Sequence, residues 1–197
     1  MDTIWTRHRF SGGALALDVA NSVVLRIDPA RRFDRFDEAA EIARFAQAAG
    51  SFRADELGGR ALEAHEPARM KPRLIALREA TDALFRSDAG GAADRGQLAG
   101  LLTACAEAIG TRSGTAWGSG AAQAEPMPLE TATALSALSL LDGTRRARIR
   151  ICANCGWLFL DSSRNRSRIW CDMTVCGNRQ KARRHYRRRT QESADAD

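Results

Sequence analysis

No stretch of this 197-residue chain approaches the roughly 18–20 apolar residues that a bilayer requires, so a membrane-spanning protein is not expected. The first ten residues lack the charged-then-apolar layout of a signal peptide, which makes the cytoplasm the expected compartment. Histidine is scarce. The three present, His8, His65 and His185, are scattered, and no His/carboxylate cluster, Gly-rich phosphate loop or nucleophile elbow occurs, so an enzyme is not expected. No internal repeat is found either. Cysteine is sparse too, with five in all, but its distribution is uneven.

Four of the five cysteines, Cys152, Cys155, Cys171 and Cys176, fall within 25 residues as C-x2-C-x15-C-x4-C. That is metal-ligand spacing: a tight turn aims two thiolates at one point, and a second pair completes a tetrahedral shell. Buried or redox thiols and an iron–sulfur cluster are the competing readings, and a reducing compartment favours zinc. Four thiolates leave no open position for water or substrate, so the expected Zn2+ is structural, not catalytic. His185 could replace one cysteine in principle, but it lies well along the following helix. Cys105 sits on the apolar face of a predicted helix and reads as a core residue.

Between the pairs, Trp157 to Leu160 and Arg168 to Trp170 flank a polar, turn-rich stretch at 161–167 and predict a small β-hairpin. From Asn178 to Gln191 there is neither Gly nor Pro, which predicts a helix. A knuckle, a hairpin and a helix entered at the last ligand describe a treble-clef-like α+β zinc module.

Charge is segregated in the same place. Residues 144–190 hold fourteen Arg or Lys against two acids, Asp161 and Asp172, whereas residues 1–143 hold sixteen basic and nineteen acidic residues. Eight of the eleven residues from Arg179 to Arg189 are Arg, Lys or His, more than solubility asks for. Such a patch suits a polyanion. The expected nucleic-acid contacts are Arg164, Arg166 and Arg168 on the hairpin loop, and Asn178, Arg179, Lys181, Arg183, Arg184, Arg187 and Arg188 on the helix. Most would touch phosphate, positioning the protein without reading sequence. Asn178 and Arg179 admit a structural role equally, as a cap and as a bridge to the hairpin. Asn178, Ala182 and Tyr186, four apart, leave one less charged stripe for packing.

The rest of the chain predicts an all-α domain at 1–143. A helix starts after Gly12 and Gly13, with Leu15, Val19 and Val23 on one face. Asp37 caps a second helix that ends at Gly50, and residues 54–64 form a shorter one. Pro72 opens a third, carrying Leu74, Leu77, Thr81, Leu84 and Phe85. Leu98, Leu101, Leu102, Cys105 and Ile109 mark a fourth, closed by Gly110. Residues 111–126 read as a long connection, and Pro128 opens a last helix that stops at Asp142 and Gly143. The acidic tail at 191–197 is expected to be disordered. Asp18 and Asn21, three apart, line a small-molecule pocket or hydrogen-bond a neighbouring loop; the second reading is favoured.

Cys152-x2-Cys155, Phe159-x-Asp161, residues 163–167, Trp170-Cys171-x-Met173 and the run Cys176, Gly177, Asn178, Arg179 closely resemble the CGNR zinc-finger family. In that family the finger ends a longer helical domain called ABATE, described as a stress-induced transcription regulator of bacteria. Gly12, Gly13 and residues 17–22 look like that domain's N-terminal motif, with Val19 and Ser22 in place of its Phe and Thr. The resemblance implies DNA binding by the finger. The expectation is a DNA-binding transcriptional regulator whose helical domain senses a small-molecule effector or joins a partner, and regulators of this kind often work as homodimers. The rival is a zinc-stabilised interaction module that binds RNA or an acidic protein without operator specificity.

Overall fold

The structure, a computed structural model, describes residues 3–110 and 126–194, with side chains for all of these except 188–190 and 192–194. The connection expected over 111–126 therefore lies outside the described residues except for its last position. Among the described residues no helix is long and apolar enough to cross a membrane.

The fold is mainly α. A 3-10 turn at Arg7–Phe10 leads to the short helix α1 (Leu15–Ala20), every residue of which is buried. Gly12 and Gly13 stand before it for steric reasons. Gly13 has φ +81°, and a Cβ there would lie 3.0 Å from the Leu160 Cβ; one on Gly12 would lie 2.7 Å from Asp18 Oδ1. Val23 lies beyond α1, in strand β1 (Val23–Val24), which pairs antiparallel with β2 (Phe33–Asp34). α2 (Ala39–Phe52) starts after Glu38, one residue beyond the expected cap, and passes through Gly50. Its buried face of Ile42, Phe45, Ala46 and Ala49 outweighs the cost of about 1 kcal/mol of one helical glycine.

Residues 54–64 are not helical. Gly58 and Gly59 take positive φ in a series of turns, and β3 (Leu62–Glu63) then pairs in parallel with β4 (Met127–Pro128). α3 (Pro67–Ala89) starts at Pro67, not Pro72, which falls inside it. Pro72, the sixth residue, forgoes one intrahelical hydrogen bond, and burial of Met70, Leu74 and Leu77 on either side carries the helix past it. α4 (Arg95–Ile109) opens on a capping box between Asp94 and Gln97. α5 (Leu129–Ser139) follows Pro128. It ends at Ser139, three residues before the expected stop, and the Asp142 carboxylate then caps a separate short helix, α6 (Gly143–Arg146), accepting from the Thr144 and Arg145 amides.

The zinc-module hairpin pairs different strands from those expected. β6 (Leu158–Leu160) partners β5 (Ile149–Ile151), with Arg150 opposite Phe159, and residues 168–170 form no strand. The C-x2-C turn thus sits at the hairpin's closed end. A π-turn (Met173–Gly177) then runs into α7 (Asn178–Ala194), which extends into the tail expected to be disordered. The core has two halves that meet across α1. Ala16 and Leu17 pack with Leu77, Phe85, Leu101 and Cys105, whereas Leu15 and Val19 pack with Phe36, Phe45 and Leu74. Ile149 and Leu158 of the hairpin belong to the first half, so the zinc module is built onto the body's core.

Candidate zinc centre and basic helix

Three short segments bring the four cysteines together. At the hairpin tip the Cys152 amide donates to the Trp157 carbonyl (2.8 Å) and the Gly156 amide to the Cys152 carbonyl (2.9 Å). Gly156 turns the chain there at φ +74°. Cys171 arrives on a loop pinned by Asp161, a fully buried carboxylate that accepts from the Ser163 (2.9 Å) and Arg168 (3.0 Å) amides. Burial works against that charge, but hydrogen bonding at Ser163 and Arg168 outweighs it and holds the carboxyl below the usual range. Cys176 closes the shell from the π-turn, whose start is capped by Asp172 through the Thr174 amide (2.8 Å) and hydroxyl (2.7 Å). A Cβ on Gly177 would meet the end of the half-exposed Met173 side chain at 3.0 Å, which would have to give way.

The sulfurs have the spacing that zinc requires. Cys171 Sγ lies 3.7 Å from both Cys155 Sγ and Cys176 Sγ, and all four sulfurs lie within 4.8 Å of one another. Thiolates held about 2.3 Å from one ion in a tetrahedron stand about 3.8 Å apart. An iron–sulfide cube would hold them wider, and a disulfide would need about 2 Å. Four thiolates this close repel one another unless a cation neutralises them, and the donor set and spacing fit a structural Zn2+. Cys105 is not among them. It is buried in the body beside the Ala134 carbonyl, and burial pushes its thiol up to about 11.

Of the expected contact residues, Arg164 and Arg166 are exposed, as are Arg179, Lys181, Arg183, Arg184 and Arg187. The Arg188 side chain lies outside the described residues. Two others are committed to structure. Arg168 donates to the Cys171 carbonyl (2.5 Å) with its guanidinium 5.1 Å above the Phe159 ring, bracing the loop that delivers a ligand. Asn178 Nδ2 donates to the Thr174 carbonyl (2.9 Å) and fastens the start of α7. Asn178, Ala182 and Tyr186 are all exposed, Tyr186 by 70%, so this stripe is not a buried packing face. Gln180, which the sequence did not single out, bonds Asn154 (3.1 Å) and ties the first turn of α7 to the knuckle.

Both polar groups of the pair Asp18 and Asn21 are engaged in internal bonds. Asn21 donates to the Leu158 carbonyl (2.8 Å) and accepts from the Leu158 amide (2.9 Å), joining α1 to the hairpin as a strand neighbour would. Asp18 accepts from the Gly12 amide (2.8 Å) and from Arg53 Nε (2.5 Å). Burial still wins at this carboxyl, raising it to about 6 despite the Arg53 guanidinium.

A second set of body-to-module contacts had no motif to announce it. Trp157 donates from Nε1 to the Val23 carbonyl (3.3 Å) and is sandwiched between the His8 ring (5.5 Å) and the Arg35 guanidinium (5.2 Å). His8 Nδ1 lies 2.9 Å from Asp172, and Arg86 of α3 donates to the Gly156 carbonyl (2.9 Å). The one legible signal was a tryptophan two residues after a ligand.

Neither the curated proteins nor the solved structures returned a match to the chain. A family model did. Residues 148–189, which hold the hairpin, all four cysteines and the first turns of α7, match the CGNR zinc finger.

Proposed function

We propose that the protein is a DNA-binding transcriptional regulator in which zinc fixes a hairpin and a loop around the root of an arginine-rich helix. One observation carries this reading: from Lys181 to Arg187 every residue of α7 is exposed, and four of those seven are Lys or Arg. A rod of 17 residues, about 25 Å long and held at its first turn, suits a groove lined with phosphate. Arg183, Arg184 and Arg187 would meet the backbone, while Arg179 near the root stands where a base edge is within reach. The protein's own chemistry in this reading is non-enzymatic. The helical body corresponds to the ABATE domain that the N-terminal motif suggests, with a sensory or partner-binding role and a link to stress.

The test is fluorescence anisotropy with labelled duplex DNA at about 50 and 200 mM salt, before and after chelation. Contact with six or more phosphates weakens binding by about 10³-fold or more between those salts. A preference among duplex sequences, lost with the metal, supports the regulator. Equal binding to duplex DNA, RNA and polyglutamate assigns the module to polyanion binding without an operator.

A further inference from the structure

A cavity of about 590 Å³ opens between the Gly13 turn, the end of α2 and the turns after it, α5 and α6, within the size range of small-molecule sites. Asp18 and Asn21 do not line it. On α5, Ala132, Leu135, Ser136 and Ser139 recur at three- and four-residue intervals and form one wall, while Leu57 and Met127 add apolar surface. The charged groups in the lining are two carboxylates, Asp55 and Glu56, and two guanidiniums, Arg53 and Arg145. Glu56 accepts from the Leu15 amide (2.8 Å) and from the Ser136 hydroxyl. Arg145 donates to the Ser139 hydroxyl (2.7 Å), and among the described residues no carboxylate pairs with it. Arg53 also lines the cavity, but its charge is committed to Asp18.

We propose that this cavity binds a small zwitterion of the amino-acid kind with an apolar side chain. Ser136 and Ser139 are one helical turn apart, about 5 Å, and each holds its charged partner one hydrogen bond away, so the bonded atoms of Glu56 and Arg145 stand at most about 10 Å apart. That is the spacing to receive an ammonium at Glu56 and a carboxylate at Arg145, with the side chain laid on Leu57, Met127 and Leu135. A half-buried arginine with no counter-ion among the described residues is the strongest single recognition element, since guanidinium and carboxylate pair through two parallel hydrogen bonds. The site is also joined to the zinc module. Gly13 lines the cavity and abuts Leu160, and the Gly12 carbonyl accepts the Leu160 amide (2.7 Å).

This inference deepens the sensory role proposed for the body and does not depend on DNA contact by α7. Isothermal titration of the zinc-loaded full chain with leucine, methionine and phenylalanine tests it, with leucinamide and 4-methylpentanoate as probes lacking one charge. At least one amino acid binds, its one-charge analogue binds about tenfold or more weakly, and Arg145→Gln loses about tenfold in affinity. Leu135→Trp, which fills the cavity without touching a charge, abolishes binding while zinc content and the helical spectrum stay unchanged. The proposal is overturned if none of the three binds at millimolar concentration, or if binding survives in both variants. DNA affinity of α7 variants, measured separately, leaves either outcome intact.

Discussion

Asn21 spends both ends of its carboxamide on one peptide of the zinc module, and no other residue type of its size offers a donor and an acceptor in that geometry. Asn21→Ala leaves the Leu158 amide and carbonyl buried without partners, which costs about 1–3 kcal/mol for each group. A loss of about 2–5 kcal/mol in urea denaturation is expected, and a loss below about 1 kcal/mol would mean that water replaces the side chain. Asp18, one turn earlier, makes a pH-dependent contribution. Its carboxyl is raised from 3.8 to about 6, so between those values the folded chain holds a proton that the unfolded chain has released. The stability this adds is complete below about pH 4 and is lost as pH rises through 6. Asp18→Asn removes the slope. Relative to that variant, the native protein should gain about 1–1.5 kcal/mol at pH 5 compared with pH 7.5, and comparing the two proteins cancels the other titrating groups.

α7 separates binding from stability because Lys181 to Arg187 are all exposed. Replacing Arg183 and Arg184 together by alanine should leave the melting temperature and zinc content unchanged, as exposed substitutions stay within about 0.5 kcal/mol. The same change should lower the salt dependence of DNA binding by about two counterions if both touch phosphate. A fall in stability with no change in slope would make these arginines structural. The elements also show what a sequence can tell. α7 and the C-x2-C turn were legible because their signals are local: an unbroken run of helix formers, and two ligands three residues apart. The strand opposite β6 was not. Ile149, Arg150 and Ile151 carry too short an alternation to stand out, and the pairing is fixed by burial of Ile149 in a core that lies elsewhere in sequence. β3 and β4 pair across more than sixty residues with two residues each, which no periodicity can reveal. Gly50 and Pro72 were read as boundaries, yet tertiary burial of neighbouring faces carried both helices past them.

At the scale of the whole molecule, the zinc shell and the helical core support each other. The chain leaves the core at Ile149, passes two ligands, and re-enters it at Leu158, so the hairpin cannot lose its tip without loosening both residues. Around that crossing the body grips the module at Leu158 through Asn21, at Trp157 through Val23, His8 and Arg35, and at Gly156 through Arg86. A small zinc module on a flexible tether would melt by itself when its metal is removed. Here the metal's contribution is spread into the core. Structural zinc supplies about 10–16 kcal/mol in isolated fingers, comparable with the whole stability of a domain of this size. If only about 4 kcal/mol of that reaches the body, chelation lowers its melting temperature by about 8–16 °C. The measurement is far-UV circular dichroism during heating, with and without chelator, paired with hydrogen exchange at α1 and α3. One transition, moved down as a whole with faster exchange in α1, is the expected result. A body that melts where it did before, while a separate small transition disappears, would show that the shared residues Ile149 and Leu158 do not couple the two parts.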